Sequence, residues 1–254
     1  MSRAIEELAD DLILLSAGRH DDRVDPPPQM QYGLAGAELI RLVARGQVEI
    51  RNDRFAVVDR EHTGDQRLDL ALGSIGSSQK VKAWITAPRS GIVDAYLEPL
   101  VGAATIREEK GRFARLIPVT RRFIEDQERA GIARARLDAV AYGSGEVTVE
   151  QAALAGLVFA AGLSKTQYPG PPGHDPRKRL KQLARSQRKS RRGATGLDQA
   201  TAAAATAATQ VSVEAAVSAA VNAAVYSAVE AAVSAAISAG DGASGGDGGG
   251  HHGG

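Results

Sequence analysis

The chain has 254 residues, 43% of them hydrophobic and 4% aromatic, and it carries a formal charge of +1 without a single cysteine. This length and hydrophobic content suit one large or two small globular domains, and the lack of cysteine excludes disulfides and thiolate metal sites. The near-neutral charge is unevenly distributed, because segment 174–193 holds nine Lys/Arg and one Asp, a formal +8, while the remainder sums to −7.

Apolar residues at helical spacing predict a first helix over residues 4–16. Its apolar run, Leu12–Leu15, is too short for a signal peptide or a membrane span. We therefore expect a cytoplasmic protein, free or peripherally associated with the cytosolic face of a membrane. After a proline-rich break, residues 33–44 predict a second helix, and residues 45–59 predict a β-hairpin that turns at Asn52-Asp53.

Residues 96–120 predict a second unit of the same kind: a helix, a small-residue break, a strand, a polar turn and a strand. The segments that begin at Leu42 and at Leu100 align without gaps. A helix followed by a β-hairpin is the core of a winged helix, so a nucleic-acid-binding protein is one interpretation. The candidate recognition helix offers only Arg41 and Arg45 as cations, which argues against nucleic acid as the partner.

The other segments predict helices at 64–75 and 81–85, a charged helix at 120–131 and an apolar helix at 148–163 with a Thr148/Gln151 capping box. We expect the apolar helix to lie centrally in the core. Valines repeat every four residues between Val213 and Val233, so an Ala-rich helix is expected whose first part packs on the domain and whose end does not. The sequence thus predicts a mainly α fold, a single helical domain with winged-helix-like helix–hairpin units, over 1–225. The Ala-rich helix end and a disordered Gly-rich tail follow over 226–254.

The string EHTGDQRLDLALGSI, residues 61–75, is the most distinctive in the chain. His62, Asp65 and Asp69 could ligate a divalent metal, because the two aspartates lie four residues apart on one helical face. The favoured interpretation is structural: Thr63 and Gln66 form a capping box, Gly64 permits a tight entry, and Asp65 suits the helix dipole. No nucleophile elbow, phosphate-binding glycine loop or dinucleotide fingerprint is present, so neither an enzyme nor a cofactor is expected.

The basic segment is the strongest functional feature of the residue pattern. A helix from Pro176 would place a narrow apolar strip, Leu180, Leu183 and Ala184, between basic flanks. Lipid headgroup phosphates, nucleic-acid phosphates or solvent would satisfy these cations equally well.

Several strings, in order, carry a family resemblance: GLAGAELIRLVARGQVEI, TGDQRLDLAL, AWI, ATIREEKGRFARLIPVT and EQAALAGLVFAAGL. In this order and spacing the chain resembles the Golgi phosphoprotein 3 family, including its bacterial relatives of actinobacterial type, over roughly residues 5–225. The resemblance implies a single mostly helical domain with a protruding hairpin at about 104–119, through which the protein self-associates. It also implies a peripheral membrane adaptor, not an enzyme, that binds phosphatidylinositol 4-phosphate or another inositol lipid and recruits membrane-protein tails.

The resemblance also places the lipid site. The tryptophan and three arginines of the eukaryotic pocket align with Pro26, Ala35, about Ser90 and Val93, none of which keeps that chemistry. Two neighbours are assigned in their place, Tyr32 as an aromatic wall and Arg89 as a phosphate contact. Affinity for anionic membranes is expected from the basic segment, through Arg177, Lys178, Arg179 and Lys181.

Overall fold

A computed structural model describes residues 3–113, 117–145, 147–184, 229 and 231–235 of the chain. Most of its regular structure is helical: α1 (Arg3–Glu6), α2 (Leu8–Leu14), α3 (Met30–Ala44), α4 (Gln66–Gly73), α5 (Val81–Thr86), α6 (Ile92–Gly102), α7 (Gln127–Tyr142), α8 (Val149–Ala160), α9 (Ser164–Gln167) and α10 (174–184). The strands pair into two antiparallel hairpins: β1 (Val48–Arg51) with β2 (Arg54–Val57), and β3 (Ile106–Phe113) with β4 (Ile117–Ile124). The predicted mainly α fold is confirmed.

Helix α3 is the centre of the core. Every residue from Gly33 to Val43 is buried, and α3 packs against α8, α2 and α6. Gly33 permits the approach to α8, since a Cβ built at this position would lie 2.8 Å from the Ala161 Cβ. The apolar helix α8 is buried along most of its length, as predicted, and its Thr148/Gln151 capping box is present.

Two helix–hairpin units have the same junction between helix and strand. In the first unit (α3, β1 and β2), the Gln47 N–H donates to the Leu42 carbonyl; in the second (α6, β3 and β4), the Thr105 N–H donates to the Leu100 carbonyl. The Gln47 carbonyl accepts from the two residues that leave β2, and the Thr105 carbonyl accepts from the two that follow β4. The predicted duplication is therefore confirmed in backbone hydrogen bonds.

The hairpins themselves differ in length, which corrects the gapless alignment. The first turns at Asn52 and Asp53, both with positive φ (50° and 63°), as in a type I′ turn. The corresponding residues of the second, Lys110 and Gly111, lie inside β3 and pair with Thr120 and Val119. The second hairpin therefore extends to Ile124 and not to 119.

The predicted helix at 120–131 is wrong in its first half. Residues 120–124 belong to β4, where Arg122 pairs with Glu108 across the hairpin, and α7 begins only at Gln127. Asp126 caps α7 by accepting from the Arg129 N–H at 2.9 Å. A cross-strand ion pair and an aspartate cap therefore explain the boundary.

The C-terminal region contributes a short buried helix. Val229, residues 231–233 and Ala235 are buried, and Val229 contacts Gly156 of α8, where no side chain intervenes. The end of the valine repeat was expected not to pack, so this expectation is wrong for these residues. Its first part, residues 185–193 of the basic segment and the Gly-rich tail lie outside the described residues. The predicted division of the chain at 225 stays a prediction.

Candidate functional site

The stretch 61–75 contains α4 and its N-terminal cap, but the cap is not the predicted one. Asp65, not Thr63, is the N-cap: its carboxylate accepts from the Arg67 N–H at 2.9 Å. The Thr63 hydroxyl accepts instead from the Asp65 N–H at 3.0 Å, so the predicted Thr63/Gln66 capping box is wrong. Gly64 has a φ of +80° and gives the tight entry that was expected.

Asp65 also joins α4 to the buried helix α3. Its carboxylate accepts from Arg41 at 3.0 Å and from Arg67 at 2.9 Å, and the Arg41 side chain is only 6% exposed. Burial alone would raise the pKa of Asp65, but the hydrogen bonds from Arg67 and Arg41 outweigh it and hold the pKa well below its usual range. The most distinctive motif of the sequence is thus a buried electrostatic anchor.

The metal-site interpretation finds no support in this geometry. Asp69 accepts from His62 at 3.0 Å and from the Thr63 N–H at 2.7 Å, whereas Asp65 faces two guanidinium groups. Among the described residues, no group of three or more His, Asp or Glu side chains is placed to hold a metal ion.

A cavity of about 450 Å³ lies elsewhere, where three distant segments meet. One wall comes from the prolines 26–28 and Gln31, a second from Arg89 and the start of α6, and a third from Arg122 on β4. Helix α6 begins at Ile92, and its N-cap residue Gly91 has no side chain to cap the first N–H groups. This helix N-terminus and the two arginines place hydrogen-bond donors at the wall of the cavity.

Arg89 is held rigidly at the edge of this cavity. Its guanidinium forms an ion pair with Glu38 and lies 3.7 Å from the centroid of the Trp84 ring. The Arg89 Nη2 is sheltered from solvent and has no hydrogen-bond partner. Burial raises the pKa of Glu38, and Arg89 opposes this shift. Arg89 therefore places a fixed guanidinium, already paired with Glu38, at the edge of the cavity.

Arg122 supplies the second cation of the cavity, and the sequence interpretation missed it. Its guanidinium lies 2.7 Å from Glu108 and 3.7 Å from Asp94, the latter on the cavity wall. Residues 120–124 were taken for a helix, so Arg122 was not placed beside a strand partner. An alternating strand pattern through β4 would have been the available signal.

The residues predicted to contact lipid lie at different places in the structure. Arg89 lines the cavity, as do the aligned positions Pro26 and Val93, whereas Ala35 is buried in the core. Tyr32 is half-buried against the core and does not line the cavity.

Two cations of α10, Lys178 and Arg179, lie at another surface, a cleft that Tyr142 also lines. Arg179 donates to the Val140 carbonyl at 2.8 Å, and Arg177 donates to the carbonyls of Tyr168 and Gly170, so both guanidiniums hold the backbone. Lys178 and Lys181 are exposed. The predicted apolar strip faces inward, since Leu180 and Ala184 are buried.

The nucleic-acid interpretation loses its recognition helix. Helix α3 is buried from Gly33 to Val43, and Arg41 and Arg45 are both bound to Glu6. A recognition helix must expose several polar side chains to a DNA groove, which α3 does not do.

The described segments contain no helix that is both long enough and apolar enough to span a bilayer. In comparison with known proteins, a family model described as Golgi phosphoprotein 3 (GPP34) matches residues 8–228, nearly the whole chain. No curated protein gives a significant match to the chain.

Proposed function

Since this chain belongs to the Golgi phosphoprotein 3 family, we propose that it is a peripheral membrane adaptor that binds an anionic phospholipid of the inositol type. The observation that carries the proposal is the cavity lined by Arg89 and Arg122. Family membership is compatible with an adaptor and gives no reason to expect catalysis. The proposed location is the cytosolic face of a membrane.

The size and chemistry of the cavity suit a phospholipid headgroup. A volume of about 450 Å³ lies in the usual range for small-molecule sites. Arg122 and the uncapped start of α6 offer donors to a phosphate, while the prolines 26–28 form an apolar wall.

The exposed lysines of α10 supply a second, unspecific contribution. Lys178 and Lys181 are free of the backbone contacts that engage Arg177 and Arg179. Each cation close to an anionic surface contributes about 1 kcal/mol, and salt weakens this attraction. We assign orientation on the membrane to these lysines and headgroup binding to the cavity.

Two further roles complete the proposal. Adaptor activity requires a second partner, for which we propose the tails of membrane proteins. Self-association is proposed through the hairpin β3–β4, whose residues 107–111 and 119–123 include none that is buried.

Liposome co-sedimentation tests the proposed function. Wild-type protein should bind vesicles that contain phosphatidylinositol lipids and should bind phosphatidylcholine vesicles weakly. Arg122→Gln should weaken binding more than Arg121→Gln, because adjacent strand residues point to opposite faces and only Arg122 lines the cavity. The double variant Arg89→Gln/Glu38→Gln removes the other cation without leaving a buried carboxylate unpaired.

Salt dependence separates the two contributions. Lys178→Gln/Lys181→Gln should reduce binding to any anionic vesicle and flatten its dependence on ionic strength. Equal losses for Arg121→Gln and Arg122→Gln, or no vesicle binding by the wild type, would refute the proposed function.

A further inference from the structure

Both cations of the cavity already face carboxylates. Arg89 is paired with Glu38, whose side chain is 4% exposed, and Arg122 lies between Glu108 and Asp94. Two guanidiniums thus share three carboxylates, so the formal charge of these five groups is 2 − 3 = −1 and the cavity has no excess positive charge for a ligand with several negative charges.

We propose that the cavity selects a headgroup with a single negative charge, a phosphodiester that carries an uncharged polyol, over the same headgroup with an additional phosphomonoester. The inference rests on the proposed function and concerns the ligand of the same cavity. It makes Asp94 a specificity-determining residue.

Arg89 can serve one phosphate oxygen and little more. One side of its guanidinium is engaged by Glu38, and its plane is fixed over the Trp84 ring at 3.7 Å. The Arg89 side chain is 18% exposed, and its Nη2 group, which lacks a partner, is closed to solvent. A phosphodiester oxygen can therefore reach only the exposed edge of the guanidinium, where it would gain one charge-assisted hydrogen bond.

Asp94 gives the opposite wall a negative charge. Its side chain is 61% exposed on the cavity surface, 3.7 Å from Arg122. A phosphomonoester brought against this wall would meet a like charge, since Arg122 is also neutralised by Glu108 at 2.7 Å. The hydroxyls of a polyol would instead donate to the Asp94 carboxylate, and Gln31 on the neighbouring wall offers further polar groups.

Soluble headgroups test this selectivity apart from the membrane. Trp84 is the only tryptophan of the chain and lies beneath Arg89, so its fluorescence reports on ligands at the cavity. Glycerophosphoinositol should bind at least as tightly as glycerophosphoinositol 4-phosphate. Asp94→Asn should raise the affinity for the 4-phosphate form about three- to tenfold and leave that for glycerophosphoinositol nearly unchanged.

Glu98→Gln is the matched control, because it removes the same charge from an exposed position of α6 that does not line the cavity. A thermal melt of each variant checks that the fold is kept. Vesicles with either lipid provide the membrane arm, in which the same order of preference is expected.

Three results would overturn the inference: a wild-type preference for the 4-phosphate form, an equal effect of Asp94→Asn and Glu98→Gln, or tightest binding of glycerophosphoethanolamine. Vesicle binding without any soluble-headgroup binding would also refute it, while leaving membrane association intact. Failure to bind vesicles of any composition would instead refute the proposed function itself.

Discussion

The first and second helix–hairpin units share a junction but differ in burial. Helix α3 is buried on all sides between Gly33 and Val43, whereas α6 buries a single stripe made of Ile92, Tyr96, Leu97 and Leu100. The first hairpin has strands of four residues, and the second has strands of eight, whose residues 107–111 and 119–123 include none that is buried. The same backbone hydrogen bonds therefore support a core element in one unit and a surface element in the other.

The difference indicates where the functional surface lies. The second unit contributes the start of α6 and Arg122 to the cavity, whereas the first contributes only Gln31 at the start of α3 and nothing from its hairpin. Arg41 of the first unit serves the interior instead, since it is buried between Glu6 and Asp65. The shared helix–strand junction therefore sets the path of the backbone in both units, and the charged side chains decide whether a unit serves the core or the cavity.

The largest expected effect is the loss of the buried anchor of the first unit. Asp65→Asn leaves Arg41 and Arg67 without their shared carboxylate. Because Asp65 is only partly buried and Arg41 keeps its ion pair with Glu6, the cost should lie at the lower end of the range for a buried ion pair, about 3 kcal/mol. Asp94→Asn in the second unit breaks a largely exposed pair and should cost about 1 kcal/mol or less. Urea unfolding of both variants measures this contrast, and similar losses would contradict it.

Acid pH should reduce the penalty of Asp65→Asn. Because the pKa of Asp65 is lower in the folded than in the unfolded state, its stabilisation is fully present above about pH 4 and is lost gradually as the pH falls toward the folded-state pKa. The difference in free energy of unfolding between wild type and variant should therefore shrink steadily as the pH falls from about 4 to about 2. Asp11 should show the opposite pH dependence. Burial raises its pKa to about 6, so its contribution to the free energy of unfolding falls as the pH rises from about 4 to about 6. Unfolding free energies measured across this pH range test both signs, and a constant Asp65→Asn penalty would refute the first.

Glycine-to-alanine changes in the two helices should act in opposite directions. In α3, a Cβ at Gly33 would lie 2.8 Å from the Ala161 Cβ, so Gly33→Ala should cost about 1–3 kcal/mol through overpacking. In α6, a Cβ at Gly102 meets nothing within 4 Å, so Gly102→Ala should be neutral or stabilising by up to about 1 kcal/mol. Thermal melts of the two variants give the comparison. A destabilised Gly102→Ala would show that α6 is packed more tightly than its burial indicates.

Local patterns predicted the helices, the first hairpin and the duplicated junction. They failed to predict the length of the second hairpin, because the pattern there is weak. Residues 107–111 include no buried side chain, so β3 lacks the alternation that marks a half-buried strand. They also failed where two residues compete for one role, since Thr63 and Asp65 are both good N-cap residues and the structure uses Asp65.

The candidate site was predicted only in part. Arg89 was assigned from the family resemblance and does line the cavity, but its contacts with Glu38 and Trp84 join segments far apart in sequence. Arg177 and Arg179 were assigned to phosphate, yet their guanidiniums bind backbone carbonyls of the preceding turn and of α7. Long-range contacts of this kind leave no periodic signal in the sequence.

The smallest expected effect tests the shared junction directly. Gly46 and Ala104 occupy the same position after their helices, with φ of +73° and +55°. A left-handed conformation costs an L-residue about 1–2 kcal/mol. Gly46→Ala should therefore lower the free energy of unfolding by about this amount, and Ala104→Gly should raise it by part of this amount. The recovery should stay below about 1 kcal/mol, because glycine also increases the entropy of the unfolded chain. A Cβ at Gly46 meets nothing within 4 Å, so any loss of stability there reflects backbone strain alone.

Chemical unfolding of the two single variants and of the double variant tests whether the two junctions are equivalent. If they are equivalent and independent, the two effects have opposite sign and add, whereas losses of stability in both single variants would show that the two turns are not alike.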